Sequence, residues 1–287
     1  MTVIKHKRLI SIQTIIALTI VAISSFQLQG QTLKRSAFKD SMQRIPSFTI
    51  HKDNYFITGV PTNKTINSST ANAKYQISFK QMISRSVLPW DTYLFLTYSQ
   101  KAFWDIYKES YPFKEINFNP TIGVGRAFFD KNDRLRGIGS FNFEHESNGR
   151  DSIFSRSWNR FSLEYKTAIS SKTIVTIKGW VPFGYKSGNT DLLDYVGLGE
   201  LTASHDFLPD KLSLEMKLRK GLMWDFKGML RTRLYYRPFK SKSNQYIMLE
   251  WFVGHAENLI NYEQFTSMVR VGYVIKTNEL NILKRNL

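Results

Sequence analysis

The sequence predicts an all-β protein, a twelve-stranded antiparallel transmembrane β-barrel of the outer membrane. Three observations predict this fold: an export signal, segments of about ten residues with alternating apolar and polar positions, and 21 Phe and 14 Tyr that favour segment ends. Only one stretch of the 287 residues approaches the roughly 20 apolar residues of a spanning helix, which excludes a polytopic helical protein. The absence of Cys excludes disulfides and thiolate metal sites.

The first element is an N-terminal export signal. Lys5, Lys7 and Arg8 precede the apolar stretch 9–23, and small residues follow before the sequence turns polar. This order of a charged, an apolar and a small-residue region is typical of a secretory signal peptide. A single membrane anchor is the alternative, but 15 residues are short for a span of roughly 20. We therefore expect a signal peptide at 1–30, an N-terminal extension without a clear period at 31–53, and the barrel domain at 54–287.

Twelve segments after residue 53 carry the alternation expected of strands. In one of them Met216 and Leu218 share one face while Glu215 and Lys217 share the other, because successive side chains of a strand point to opposite sides. A soluble β-sandwich would show the same alternation with its apolar side turned inward, but export and the even strand number favour the barrel. The predicted strands are 54–62, 73–84, 92–101, 117–129, 135–147, 157–169, 173–184, 196–207, 212–222, 227–239, 245–256 and 266–277.

The charge balance is strongly basic. The chain has 40 Lys and Arg against 23 Asp and Glu, a formal charge of +17. Such a balance raises the possibility of nucleic-acid binding, but the cations are scattered through the alternating segments and the chain is exported. We therefore expect the cations to face solvent or the barrel lumen, with no nucleic-acid partner.

One predicted hairpin carries polar residues on its apolar face. Phe143 marks that face, and the period of two adds His145 and Ser147 to it, while Asn159 falls on the matching face of the next strand. Polar side chains toward lipid are costly without a partner. An imidazole two residues from a hydroxyl is spaced for a general base beside a nucleophile. The alternative interpretation is that each is an ordinary residue of the membrane interface or of a loop.

The segments 145–150 (HESNGR) and 155–160 (SRSWNR) closely resemble the signature of the outer membrane phospholipase A family. The resemblance covers most of the chain from about residue 90 onward. It implies a twelve-stranded barrel with a Ser-His-Asn triad on its outer surface, which hydrolyses acyl esters of phospholipids and lysophospholipids. Further matching runs are Gln100-Lys101 with Trp104, 111–117, 188–191, 258–262 and 270–272.

Matched positions of this family imply a role for each site residue. Ser147 would be the nucleophile, His145 the general base and Asn159 the residue that orients the imidazole. The backbone N–H of Gly149 would lie beside the oxyanion. An Asn in the third position fixes the tautomer of the imidazole but adds no negative charge.

The resemblance also implies a Ca²⁺ cofactor and a homodimer. Its ligands would be the Arg150 carbonyl, the Ser155 hydroxyl and the partner subunit's Ser110, which are hard oxygen donors of the kind Ca²⁺ prefers. Asp191 is a candidate for a second calcium site. Gln100, a polar amide on an apolar strand face, is expected at the subunit interface or, alternatively, at the water boundary. The competing function is a non-catalytic barrel, a porin or a structural protein with a vestigial motif.

Overall fold

The structure is a computed structural model that describes residues 33–85, 88–238, 243–279 and 281–284. The predicted signal peptide and residue 239 of the predicted strand 227–239 lie outside these residues. Within them the helices are α1 (Arg35–Arg44), α2 (Leu192–Val196) and α3 (Asn281–Lys284), with 3₁₀ turns at Pro89–Asp91 and Ser152–Phe154. The strands are β1 (Phe48–Ile50), β2 (Asn54–Pro61), β3 (Asn72–Met82), β4 (Tyr93–Trp104), β5 (Phe113–Phe129), β6 (Leu135–Ser147), β7 (Ser157–Ser170), β8 (Thr173–Phe183), β9 (Gly199–Leu208), β10 (Leu212–Lys220), β11 (Gly228–Tyr236), β12 (Gln245–Gly254) and β13 (Thr266–Ile275).

Strands β2 to β13 close into an antiparallel barrel. Each pairs with the next strand along the chain, and β13 pairs with β2 to complete the ring. Closure leaves none of these strands with an unpaired edge, as a bilayer requires. The predicted twelve-stranded barrel is confirmed. None of the described helices is long and apolar enough to cross a membrane.

Two predicted strands begin more than one residue away from the observed strands. β5 begins at Phe113 rather than at 117, because it continues to pair with β4 past a bulge beside Trp104. β9 begins at Gly199 rather than at 196, because the preceding residues form α2. Gly197 ends that helix with a φ of 61°, which favours glycine.

The barrel wall has an apolar outer face and a charged inner face. On β10 the side chain of Met216 is exposed on the outside, whereas Glu215 and Lys217 form ion pairs inside. Arg231 lies 2.9 Å from Glu215, and Lys217 lies 2.5 Å from Glu200. The cations that the sequence scatters along the strands are thus largely those that face the lumen.

Residues 33–53, which show no period in the sequence, close one end of the barrel. α1 buries Phe38 and Met42 in a cluster with side chains from the ends of β3 to β8 and from α3, among them Tyr93 and Leu135. β1 pairs with β3 just beyond the part of β3 that pairs with β2. A cavity of about 800 Å³ with charged walls lies next to this cluster. The loops that carry the predicted site are at the opposite end.

Candidate active site

β6 and β7 bring two of the predicted triad residues together on the outer face. Their register places His145 directly opposite Asn159. Nδ1 of His145 lies 2.9 Å from Oδ1 of Asn159, and both side chains are half-buried. Because an amide oxygen only accepts, this hydrogen bond places the proton on Nδ1 and leaves Nε2 as the basic nitrogen.

Aromatic rings border this polar pair. The rings of Phe161 and Phe183 are stacked with centroids 5.2 Å apart, and Phe143 lies 6.1 Å from Phe183. All three rings are exposed on the outside of the barrel. Asn159 pairs with Phe183 across β7 and β8. The hydrogen-bonded pair therefore lies at the edge of an apolar surface.

Charged residues fix the inner face of the same hairpin. Arg160 donates to Glu144 at 2.7 Å and to Glu146 at 3.1 Å, and Lys178 of β8 lies 2.6 Å from Glu144. These bonds link β6, β7 and β8 behind the site. Glu146 faces the lumen, as the alternation predicts. Such a fully paired network holds the strands in one register.

Two residues beside the pair, one that bonds to it and one that leaves room for it, are not predicted from the sequence. Asn119 of β5 donates from Nδ2 to the backbone oxygen of His145 at 2.7 Å. Gly184, just after β8, has a φ of 62°, and a Cβ at this position would lie 2.9 Å from Nδ2 of Asn159. The strand pairing alone brings these residues to the site, so no local pattern could have identified them.

Ser147 ends β6 two residues beyond His145 and on the same face. It is half-buried and pairs with Ser157 of β7. Gly149 follows with a φ of 64°, and a Cβ there would lie 2.8 Å from the ring of Phe118. Glycine is therefore required at this position, because a side chain would be both strained and crowded.

The loop 148–156, which we call the site loop, is folded around a buried Asn148. The backbone N–H of Asn148 donates to the oxygen of Arg156 at 3.0 Å. Its Nδ2 donates to the oxygen of Phe154 at 2.8 Å, and its Oδ1 accepts from the backbone N–H of Arg156 at 2.9 Å. These bonds make the loop a compact unit that begins directly at Ser147.

The site loop carries two of the predicted Ca²⁺ ligands, Arg150 and Ser155. Carbonyl, hydroxyl and carboxylate oxygens are hard donors, so the chemistry of this loop fits a calcium ion. The described residues contain no group of three or more His, Asp or Glu side chains that could hold a metal ion. Backbone and hydroxyl oxygens, with the single carboxylate of Asp151, are thus the donors that the site loop offers. The loop has an open depression on its surface, lined by Gly149, Arg150, Asp151 and Phe154.

The side chain of Arg150 is held against β5 by Glu115. Nε of Arg150 lies 3.5 Å from Oε2 of Glu115, whose side chain is fully buried. The other carboxylate oxygen accepts from Nδ2 of Asn117 at 2.8 Å and from the N–H of Ile260 at 3.1 Å. Glu115 therefore ties the site loop to β5 and to the loop between β12 and β13. No sequence pattern predicts this role, although Glu115 lies in one of the runs that resemble the family.

The two other predicted ligands lie in other loops at the same end of the barrel. Ser110 is exposed in the loop between β4 and β5, with a φ of 64°. Asp191 accepts a hydrogen bond from the hydroxyl of Tyr262. Among the described residues no hydrogen bond joins either one to Arg150 or Ser155. Their roles as ligands stay predictions.

Gln100 lies on the outer face of β4, as the alternation predicts. Its Oε1 accepts from the hydroxyl of Tyr98 at 3.1 Å, and its Nε2 lies 3.5 Å from the hydroxyl of Tyr75. The amide thus has partners within its own chain. A second subunit is not needed to satisfy it, so its place at an interface stays a prediction.

The family model and the similar sequences of known proteins indicate the same family. The family model for phospholipase A1 matches residues 31–275. The phospholipase A1 of Escherichia coli strain K12 is 28% identical over 218 residues, 75% of this chain and 72% of that protein. A putative phospholipase A1 of Neisseria meningitidis serogroup B is 27% identical over 246 residues. That match covers 80% of this chain and 63% of the Neisseria protein, so the chain spans less than two thirds of that relative.

Solved structures show the same fold. Outer membrane phospholipase A from Escherichia coli matches with a TM-score of 0.72 and 23% identity, covering 86% of this chain and 99% of that one. The Salmonella typhi outer membrane phospholipase, solved as a dimer with bound calcium, matches with a TM-score of 0.71 and 23% identity. That match covers 85% of this chain and 98% of the other. At this identity the likeness concerns the barrel architecture.

Proposed function

Because the chain belongs to the phospholipase A1 family, we propose that this outer-membrane barrel is a Ca²⁺-dependent phospholipase A that hydrolyses acyl esters of phospholipids and lysophospholipids. Ser147, His145 and Asn159 would form its catalytic triad. One observation carries the proposal: the hydrogen bond of 2.9 Å between His145 and Asn159 on the outer face of the barrel, with Ser147 two residues away on that face. A site bordered by exposed aromatic rings can receive a substrate directly from the bilayer.

The proposed reaction is acyl transfer to Ser147 followed by hydrolysis. The Ser147 hydroxyl attacks the ester carbonyl carbon while Nε2 of His145 takes its proton. The bond from this carbon to the glycerol oxygen breaks, and that oxygen leaves with the proton from His145. Water then attacks the acyl-Ser147 ester, again losing a proton to Nε2. The fatty acid is released and the proton returns to the Ser147 oxygen.

Stabilisation of the oxyanion depends on the site loop. The backbone N–H of Gly149, two residues after Ser147, is the proposed donor to the carbonyl oxygen that becomes negative. The Arg150 carbonyl and the Ser155 hydroxyl would hold Ca²⁺, which supplies positive charge beside that oxygen when it is bound. Asn159 keeps the imidazole in place but carries no charge. We therefore assign the electrostatic contribution to the site loop.

We further propose that the active form is a homodimer. The partner subunit's Ser110 would complete the calcium site, with Gln100 at the interface. Two features support this arrangement: the exposed position of Ser110 at the site end of the barrel, and the dimer with bound calcium solved for the Salmonella typhi protein. Asp191 is the proposed residue of a second calcium site; its Oδ1 accepts from Tyr262, which leaves Oδ2 as the donor to the metal.

Hydrolysis of a phospholipid by the purified, refolded barrel tests the proposal. We expect activity with excess Ca²⁺, none with EDTA, and a loss of at least about 10³-fold for Ser147→Ala. Ser157→Ala is the matched control, because Ser157 pairs with Ser147 on the neighbouring strand. Full activity of a folded Ser147→Ala barrel would show that Ser147 is not the nucleophile.

A non-catalytic barrel is the alternative, and the same assay decides between the two. A folded dimer that hydrolyses no lipid with Ca²⁺ present would leave the motif without a catalytic role. A porin is the less fitting form of this alternative, because buried ion pairs inside the barrel, such as Lys74 of β3 with Glu250 of β12 at 2.5 Å, join strands that are not neighbours in the ring. The apolar cluster around α1 also covers one end.

A further inference from the structure

We propose that residues 221–227, the loop between β10 and β11, form a membrane anchor that inserts into the lipids beside the barrel. This anchor loop has four apolar side chains that the rest of the chain does not cover. Trp224 is 87% exposed, Phe226 is completely exposed, and Leu222 and Met223 are about half exposed. The proposal goes beyond the catalytic function and does not depend on it, because the loop lies four strands along the ring from the β6–β7 hairpin.

The direction of the anchor loop follows from Lys220, the last residue of β10. The outer face of β10 carries Met216 and Leu218, both exposed, and the period of two places Lys220 on this face. Arg219, on the opposite face, donates to the Ala256 oxygen in the loop between β12 and β13. The side chain of Lys220 therefore leaves β10 on the lipid side of the barrel wall.

The anchor loop is folded around the ammonium group of Lys220. Nζ of Lys220 donates to three backbone oxygens of the loop and lies 3.5 Å from the Asp225 carboxylate. Because these acceptors gather around a side chain of the outer face, the loop leans toward the lipid rather than across the lumen. The three oxygens belong to Gly221 at 3.3 Å, Lys227 at 3.2 Å, and Met223.

The base of the anchor loop is fixed to the barrel. The N–H of Gly221 donates to the Lys227 oxygen at 3.0 Å, and that of Leu222 donates to the Leu193 oxygen of α2 at 3.0 Å. A Cβ at Gly221 would lie 1.9 Å from the Asp194 oxygen, so the loop packs directly on the neighbouring segment. These contacts hold the base of the loop against α2.

A lipid surface is the occupant that this chemistry fits. Trp and Phe beside a lipid-facing strand are typical of the membrane interface, and the exposed stripe of Met216 and Leu218 continues into the loop. Lys220 and Lys227 each lie 3.5 Å from the Asp225 carboxylate, so the loop pairs these charges itself. A second copy of the chain fits less well, because the loop is about half-way round the ring from β4, which carries Gln100.

Site-specific labelling tests the anchor, because the chain has no Cys of its own. Trp224→Cys would carry the fluorophore NBD, in vesicles of phosphatidylethanolamine and phosphatidylglycerol. Ser68→Cys is the control, since Ser68 is exposed in a polar loop at the same end of the barrel. Either orientation of the barrel presents both labels to a leaflet. We expect a blue shift for the label at 224 and several-fold stronger quenching by lipids with a nitroxide near the headgroup than for the label at 68.

Two results would overturn the proposal. A label at 224 that matches the label at 68 in emission and quenching would mean that the loop stays in water. A shift that occurs only at high protein-to-lipid ratio would assign the loop to contact with a second copy. Heat-dependent migration on gels checks that each labelled variant is folded, so that neither result can be attributed to a misfolded barrel.

Discussion

Replacing Gly184 by Ala is expected to impair catalysis although it changes no triad residue itself. Gly184 follows β8 with a φ of 62°, next to Asn159 of β7. A Cβ at 184 would lie 2.9 Å from Nδ2 of Asn159. Because this separation is shorter than a normal contact, the amide of Asn159 must move away.

The structure sets the size of this effect. Ordinary contacts of a Cβ begin at 3.4 Å, so the amide must shift by at least about 0.5 Å. A shift of that size along the bond to His145 would stretch it from 2.9 Å to near the limit for a hydrogen bond. Since a misplacement of about 1 Å can cost 10²-fold in rate, we expect kcat to fall by about tenfold. Ala in the left-handed region also costs about 1–2 kcal/mol of stability.

The assay is hydrolysis of phospholipid in mixed micelles with saturating Ca²⁺. Gly179→Ala is the matched control on the same strand, because a Cβ there meets its nearest atom at 3.7 Å, an ordinary contact. We expect kcat to fall for Gly184→Ala and to be unchanged for Gly179→Ala. KM should be similar for both, since neither residue is proposed to bind lipid.

Two outcomes would refute this reasoning. If folded Gly184→Ala keeps the full kcat, the amide of Asn159 either does not need its present position or has room to move. If Gly179→Ala loses as much activity as Gly184→Ala, the effect belongs to β8 as a whole and not to the contact with Asn159.

Two further predictions concern carboxylates. Glu115→Gln removes the charge that holds the site loop, so the Ca²⁺ concentration for half-maximal activity should rise by about tenfold or more. Calcium titration measures this, with Asp40→Asn, exposed at the opposite end of the barrel, as the control; an unchanged titration for Glu115→Gln would contradict this role. For Glu257, between β12 and β13, burial alone would raise the pKa, but Arg270 and Lys74 lower it to about 2. The ionised Glu257 side chain therefore stabilises the fold fully at a pH above about 4.3, the pKa of Glu in an unfolded chain. This stabilisation is lost as the pH falls toward the folded pKa of about 2. The gap in unfolding temperature between the wild type and Glu257→Gln should narrow over that range, and a gap independent of pH would argue against it.

The strands were predictable because the two sides of a barrel wall differ chemically. Every residue of β10 meets either lipid or the polar lumen, so Met216 and Lys217 alternate in the sequence as they do in space. The same alternation placed His145 and Ser147 on one face. The first and last residues of strands were less predictable. Pairing with β4 makes β5 begin four residues earlier than its own alternation indicates.

The N-terminal segment shows where local pattern fails. α1 is mostly polar and buries only Phe38 and Met42, which is too little for a helical period to stand out. Its apolar partners come from the ends of several strands, far away in the chain. β1 has three residues, which is too short for alternation to be recognised.

The fold class, the twelve strands and the face on which the candidate catalytic residues lie follow from the amino-acid pattern alone, because periodicity records the environment of each residue. Which residues meet depends on the folded barrel. The bond between His145 and Asn159, the contact of Gly184 with that Asn, and the hold of Glu115 on the site loop all depend on strand register and loop packing. Register and packing join residues through pairings across the barrel, and no short stretch of sequence contains both partners.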